Sequence, residues 1–186
     1  MQTHLPIKKI ALLGGGPAAL FMFKKLLQSG ESGIEIFIFE KSDQLGAGMP
    51  YSTWGANKEH ITNVSDNEIP ELVTSVKDWL KNAPQNLLKD YHLSAEDFNE
   101  YKVLPRLLFG KYLEAQFDLL ISAAKKKHIT TYVLLQTKVE DVVYKAETKK
   151  VKVITETEDY LLDAVVMCTG HKWPCKNEKN VPGCRG

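Results

Sequence analysis

The stretch from residue 9 to residue 40 constrains the chain more than any other. Lys9 and the apolar run Ile10-Ala11-Leu12-Leu13 lead directly into Gly14-Gly15-Gly16-Pro17-Ala18-Ala19, and apolar residues then recur with helical spacing at Leu20, Phe23, Leu26 and Leu27. Gln28-Ser29-Gly30 closes that helix. Gly33 turns the chain into Ile34-Glu35-Ile36-Phe37-Ile38, continued by Phe39 and ended by Glu40. So apolar a short run marks a buried parallel strand. The whole is a βαβ unit with G-x-G-x-x-A at its first turn and an acid 26 residues after Gly14. Each part has its own task. Gly14 permits the tight turn, Gly16 leaves room for a pyrophosphate against the backbone, and Ala19 is small enough for the helix to pack closely on the sheet. The first helical turn, opening at Pro17 and Ala18, aims free backbone N–H groups at the phosphates. Glu40 is placed to accept hydrogen bonds from adenosine ribose hydroxyls, and an acid there repels a 2′-phosphate, which disfavours NADP at this site. The unit alone does not separate FAD from NAD.

Composition narrows the remaining classes. With 186 residues, 44% apolar and 25% charged, the chain has material for one sizeable core or two small ones. Twenty-four Lys+Arg against twenty-three Asp+Glu leave a net charge of +1, which argues against a nucleic-acid partner. No stretch approaches the length of an apolar membrane span, and MQTHLPIKKI lacks the features of a signal peptide, so the expectation is a cytoplasmic chain with no membrane partner. Cys168, Cys175 and Cys184 are odd in number and make no disulfide framework. His171, Cys175 and Cys184 lie four and nine residues apart, which is no paired ligand motif, and no metal is expected.

From Lys41 to Asn67 regular periodicity stops, and Gly46, Gly48, Pro50, Gly55, Asn57 and Asn63 punctuate a loop longer than an ordinary connection. Gly46-Ala47-Gly48 can bring backbone close to a cofactor, with Tyr51, Trp54, His60 and Asn63 lining the adjoining pocket. For Trp54 and His60 a plain loop role outweighs catalysis, because neither has a sequence-near partner. Thr74 or Ser75 is expected to cap a short helix through Val76, Trp79 and Leu80 that stops near Pro84. Ser94-Ala95-Glu96-Asp97 resembles a capping box and predicts a second helix start. Pro105 then restricts the chain before Arg106, and Leu113, Phe117, Leu120, Ile121 and Ala124 form an apolar stripe, ending in Lys125-Lys126-Lys127-His128. Arg106 near a helix start is badly placed for the macrodipole. Either an anionic ligand such as a pyrophosphate or a surface salt bridge explains it.

Ile129 to Leu135 form the next strand. Val139 to Tyr144, a turn at Glu147-Thr148-Lys149-Lys150, and alternating Val151, Val153, Thr155 and Thr157 read as short antiparallel strands. Tyr160-Leu161-Leu162 then leads to Ala164-Val165-Val166-Met167-Cys168 and Thr169-Gly170, the pattern of a central parallel strand with a buried, unreactive Cys168.

In this order, IALLGGGPAALFMFKKLL, IEIFIFEKSDQLGAGMPYS, HITNVS, LPRLLFGKYLEAQF and LLDAVVMCTGHKWP resemble the FAD/NAD(P)-binding flavoprotein superfamily, especially its FAD-dependent oxidoreductase-like domains. The resemblance implies an α/β, Rossmann-like, three-layer fold with a central parallel sheet and an antiparallel β-meander crossover. Residues 1–186 would form one FAD/NAD(P)-binding domain, with 41–104 an irregular and helical cofactor-side insertion and 136–162 the meander. It assigns Gly14, Gly16, Pro17, Ala18 and Ala19 to the pyrophosphate turn, Glu40 and its neighbour Lys41 to the adenosine side, Gly46 and Gly48 to the extended cofactor loop, and Thr169 and Gly170 to a late strand-end contact. Asn63 and Arg106 become cofactor or pocket residues. The sequence departs from the family in having Ala19 for the commonest third glycine, Cys168-Thr169-Gly170 for the frequent Ala-Thr-Gly, and no second Gly-rich βαβ turn before Gly186. The expectation is the front part of a larger flavoprotein or a reduced relative.

The function so implied is FAD binding for a flavin-dependent oxidoreductase, with NAD(P)H as electron donor, oxygen as a further redox partner and a small-molecule substrate. No catalytic acid or base is assigned. Two other classes fit the residues: a non-catalytic nucleotide-binding or interaction domain, and a simpler NAD-linked oxidoreductase. The ribose acid favours the last of these, whereas the long loop, the meander and the Cys-Thr-Gly box oppose it.

Overall fold

A computed structural model of the chain describes residues 8–170 except Ser32 and Asp97. Strand β1 (Lys8–Leu13) runs into helix α1 (Pro17–Gln28) and strand β2 (Ile34–Phe39). Pro17 sits in the first turn of α1, where its fixed φ suits the helix and its missing N–H costs nothing. The helix buries Ala19, Leu20, Phe23 and Leu27 on one face. After β2 the chain is irregular to α2 (Val76–Asn82) and α3 (Gln85–Lys89), then enters the long α4 (Arg106–Lys126). Ser75 caps α2, accepting a hydrogen bond from the Asp78 N–H at 3.0 Å, and Pro84 follows its end. Strand β3 (Thr130–Leu134) precedes the meander β4 (Val139–Lys145), β5 (Lys150–Thr155) and β6 (Asp159–Leu162), and β7 (Ala164–Met167) returns beside β1.

The parallel sheet has the order β3-β2-β1-β7, and β4-β5-β6 form a separate antiparallel sheet. Strand alternation divides the core between the two faces of the parallel sheet. Leu12, Ile36 and Ile38 meet α1 and α4, where the Phe23 and Phe117 rings stack at 5.6 Å. Ala11, Leu13, Phe37 and Phe39 face the meander through Val153 and Leu162, with Tyr160 edge-on to Phe39 at 5.0 Å. The result is three layers, helices over parallel sheet over meander. The meander is tied down by Asp163, which accepts hydrogen bonds from the Lys9 N–H at 2.8 Å and from Lys150 Nζ at 2.5 Å. At the far end of α4, Lys125 and Lys126 occupy the last turn, and Lys127 Nζ donates to the Leu27 carbonyl at 2.8 Å, joining the ends of α1 and α4.

Two expectations are corrected. No helix starts at Ser94: its hydroxyl accepts from the Glu96 N–H, but the segment is turn and bend, and Leu93, Ala95 and Phe98 reach the core without helical periodicity. A capping signal with no apolar stripe behind it does not propagate a helix. Strand β7 is parallel to β1 as expected, yet among the described residues it lies at the sheet edge rather than the centre, with Met167 63% exposed. His171, Cys175 and Cys184 fall outside the described residues.

Candidate dinucleotide site at the β1–α1 turn

The turn Gly14-Gly15-Gly16 is fixed from three sides. Behind it, the Gly14 N–H donates to the Phe39 carbonyl at 2.8 Å, and Gly14 has φ +102°, with Cys168 O only 2.4 Å from where a Cβ would stand. Beneath it, the Gly15 N–H donates to Glu40 Oε2 at 2.6 Å, while Glu40 Oε1 accepts from the Ser42 N–H at 2.8 Å. In front, the Gly46 N–H donates to the Gly15 carbonyl at 2.7 Å, and a Cβ on Gly16 would stand 3.3 Å from Gly48 Cα. The expected cofactor loop therefore packs directly on the expected phosphate turn.

The electrostatics suit an anion. Gly16 is the N-cap of α1, the first turn holds no acidic residue, and the first backbone bond into the helix runs from Leu20 N to Gly16 O. Ala18 and Ala19 therefore carry orphan N–H donors at the positive end of the helix dipole. Glu40 is 9% exposed, and its carboxylate spends two of about four acceptor positions on backbone N–H groups, leaving capacity for ribose hydroxyls. Lys41 lies across the exposed Trp54 ring, Nζ 3.8 Å from the centroid.

Asn63 and Arg106 come together, as do the two segments that carry them. His60 to Val64 run antiparallel to the start of α4, with an Ile61–Pro105 bridge, Thr62 N–H to Leu104 O at 2.8 Å and Arg106 N–H to His60 O at 2.7 Å. Arg106 Nε donates to Ile61 O at 2.9 Å and its terminal nitrogen to Asn63 Oδ1 at 3.0 Å. Among the described residues no carboxylate pairs with Arg106, so the surface salt bridge is not what holds it. Leu113, whose carbonyl backs onto Gly46, is seven residues along α4, so Arg106 lies about 10 Å further along the helix axis than the phosphate turn's support.

Thr169 and Gly170 are exposed, and a Cβ at Gly170 would meet nothing within 4 Å; the close approach at this strand end is made by Gly14 against Cys168. Burial pushes the Cys168 thiol pKa up, which leaves it protonated and unreactive. His60 is exposed, its Nδ1 accepting from the Asn57 N–H. Behind the loop, away from the turn, a cavity of about 260 Å³ is lined by Asp43, Ala47, Tyr51, Gly110, Lys111 and Glu114. None of Gly14 to Ala19 lines it.

Sequence reasoning missed the residues of α4 that hold the loop. Gln116, wholly buried, accepts from the N–H groups of Val73 and Thr74 at 3.0 and 2.9 Å, and Tyr112 Oη donates to Thr74 O at 2.7 Å. Thr62, 3% exposed, receives the Leu104 N–H and donates to Val64 O. A polar glutamine interrupting the apolar stripe and a glycine soon after the helix start were the visible signals.

A family model described as FAD-NAD(P)-binding matches residues 11–172. The chain belongs to that family. An uncharacterised protein of Escherichia coli (strain K12), YdhS, is 30% identical over 172 residues, which is 92% of this chain and 32% of YdhS. The solved cyclohexanone monooxygenase from Rhodococcus sp. Phi1 bound to NADP+ matches with a TM-score of 0.54 at 13% identity, over 88% of this chain and 26% of that one. Tmm from Pelagibacter sp. strain HTCC7211 matches at 0.55 and 20%, over 88% and 36%, and a flavin monooxygenase mutant from Stenotrophomonas maltophilia at 0.53 and 16%, over 89% and 39%. These likenesses establish a shared fold. The chain spans about a third of the length of the proteins it matches. No helix among the described residues is long and apolar enough to cross a membrane.

Proposed function

We propose that the chain binds FAD across the β1–α1 turn and is the flavin-holding part of an oxidoreductase that takes electrons from NAD(P)H and acts on a small molecule. The observation that carries the reading is the two-sided cradle. A Cβ on Gly14 would strike the Cys168 backbone at 2.4 Å, and one on Gly16 would stand tight against Gly48 Cα at 3.3 Å, where the loop closes on the turn. There is no room for a methyl on the Gly14 side of the turn and little on the Gly16 side, while the first turn of the helix presents unpaired donors and no acid. Family membership and the likeness to flavin monooxygenases, one with NADP+ bound, support FAD and NAD(P)H in these roles.

When bound, the flavin supplies electron or hydride transfer between a donor and a substrate. The chain supplies position. Ala18 and Ala19 N–H groups and Gly16 hold the pyrophosphate, Glu40 takes the ribose hydroxyls on its remaining lone pairs, and Lys41 flanks the adenosine. Gly46 and Gly48 carry the loop past the phosphates. Arg106, locked by Asn63 and Ile61 and with no carboxylate paired to it among the described residues, would offer its cation to a part of the dinucleotide beyond the phosphate turn. Thr169 and Gly170, open at the end of β7, face the same edge.

Titration of the chain with FAD, followed by quenching of flavin fluorescence, tests this. Gly16→Val places branched carbons against Gly48 and in the pyrophosphate path, and is expected to weaken FAD by more than about tenfold in a folded protein. Unchanged affinity refutes the assignment of the turn. Bleaching of bound flavin by NADH or NADPH separates an oxidoreductase from a non-catalytic nucleotide-binding domain, and binding of NAD with no uptake of FAD would favour the simpler NAD-linked enzyme.

A further inference from the structure

Helix α4 touches the 46–74 connection at four successive stations. Gln116 and Tyr112 hold Thr74, Leu113 and Glu114 back onto Gly46, Gly110 lies under Tyr51, and Arg106 grips Ile61 and Asn63. Three of these stations use side chains or helix backbone that a helix offers anyway. The station at Gly110 depends on a missing side chain in the second turn of a 21-residue helix, inside the hydrogen-bonded ladder, where glycine is among the poorest residues. A Cβ there would stand 2.1 Å from Tyr51 O, 3.1 Å from Tyr51 C and 3.3 Å from Ala47 Cβ.

We infer that Gly110 is a positioning residue for the dinucleotide: by carrying no side chain it lets the loop of residues 46–51 seat on α4 at the depth that sets Gly48 against Gly16. The inference rests on the proposed dinucleotide site. Tyr51 ends the short 3-10 turn Met49–Tyr51, whose N-cap is Gly48, so the Tyr51 carbonyl and the closing glycine belong to one rigid piece of chain. Phe109 meets the Tyr51 ring edge-on at 5.0 Å and fixes the piece sideways. On the other side, the Gly46 N–H is bonded to Gly15 O and Gly48 Cα stands 3.3 Å from the Cβ position of Gly16. The loop is thus held between two surfaces with less than a methyl to spare at either.

The direction of the response follows from which partner yields. Helix α4 is anchored by fully buried Leu108, Phe117 and Ala124 and by the Gln116 hydrogen bonds, whereas the loop has Met49 and Trp54 in solvent. A methyl at Gly110 therefore lifts the loop off its seat on α4, which disturbs the Gly46 N–H bond to Gly15 O and the placing of Gly48 against Gly16. The 260 Å³ cavity beside Gly110 does not relieve this, because the obstructing atom is the Tyr51 backbone carbonyl and not a side chain free to swing.

The test uses the full chain with Gly110→Ala, and Ser122→Ala, an exposed position on the same helix, as the control. Amide exchange by NMR in the absence of any nucleotide reads the loop directly. In Gly110→Ala the Gly46 amide is expected to exchange at least about tenfold faster while amides of Leu113 to Leu120 keep their protection. FAD affinity is expected to fall by about tenfold or more, with Ser122→Ala matching the wild type in both readings. A folded Gly110→Ala protein with wild-type Gly46 exchange and wild-type FAD affinity overturns the inference. Faster Gly46 exchange in a chain whose wild type takes up no FAD sinks the FAD reading but leaves the seating role of Gly110 supported. Should Gly110→Ala fail to fold, Gly46→Ala attacks the same seat from the loop, its Cβ placed 2.6 Å from Glu114 N; unchanged FAD affinity there overturns the inference equally.

Discussion

Gly14→Ala tests whether the turn is shaped as tightly as the structure shows. Two costs are expected. At φ +102° an L side chain crowds its own carbonyl, at about 1–2 kcal/mol. In addition the new methyl would stand 2.4 Å from Cys168 O and 2.9 Å from Cys168 C. That strand end cannot drift away freely, because the Cys168 N–H is bonded to Leu13 O at 2.8 Å, one residue from the glycine itself. Overpacking of this kind adds about 1–3 kcal/mol, for a total of about 2–5 kcal/mol. Gly30→Ala is the matched comparison. Gly30 also has positive φ, +71°, but nothing lies within 4 Å of its Cβ position, so only the backbone cost applies, partly offset by the stiffer unfolded chain, and the net is about 1 kcal/mol. For a domain of this size each kcal/mol moves the melting temperature by about 2–4 °C. Thermal unfolding by circular dichroism without nucleotide should show Gly14→Ala lowered by about 5–15 °C and Gly30→Ala by no more than about 4 °C. If both variants melted within about 2 °C of each other, the contact between the turn and the end of β7 would not exist as described.

Other consequences follow from groups outside the turn. Tyr160 is pushed up to about 12 by burial and by its hydrogen bond to Glu158. Its raised pKa means the unfolded chain loses this proton first, so stability is full below about pH 10 and declines as pH rises towards 12; Tyr160→Phe should flatten that decline in chemical denaturation curves. Asp163 is held below the usual carboxylate range by the Lys150 ammonium and the Lys9 N–H. It contributes stability above pH 3.8 that is lost as pH falls through the lowered value, and Asp163→Ala should cost about 1–2 kcal/mol at neutral pH by urea titration while removing that acid dependence. Gln116→Leu keeps the volume but strips the Val73 and Thr74 N–H groups of their acceptor. A loss of about 1–3 kcal/mol is expected, together with faster proteolysis between residues 58 and 77; resistance equal to wild type would remove Gln116 from its anchoring role.

What could be read from the sequence was what local periodicity encodes. The run from Ile10 to Glu40 specified strand, turn, helix and strand because each apolar spacing agreed with its neighbour and the glycines marked the joints. The meander was legible from period-two alternation, and Ser75 from its capping chemistry. Ser94 had equivalent capping chemistry and formed no helix, because Leu93, Ala95 and Phe98 are drawn singly into the core. The edge position of β7 among the described residues could not be read either: a short apolar run looks the same in the centre of a sheet as at its side. Within the site, Gly14, Gly16 and Glu40 were visible as a spaced motif. Gly110, Gln116 and Thr62 were not, since their partners lie 42 to 63 residues away and only tertiary packing joins them.

The most direct measurement is the visible spectrum of the chain after incubation with excess FAD and removal of free nucleotide by gel filtration. Stoichiometric flavin co-eluting with the protein, released on unfolding and absent from the Gly16→Val protein, is the result expected if Gly14, Gly16, Gly48 and Glu40 form the cradle. Folded wild-type protein that emerges colourless contradicts FAD binding at the β1–α1 turn.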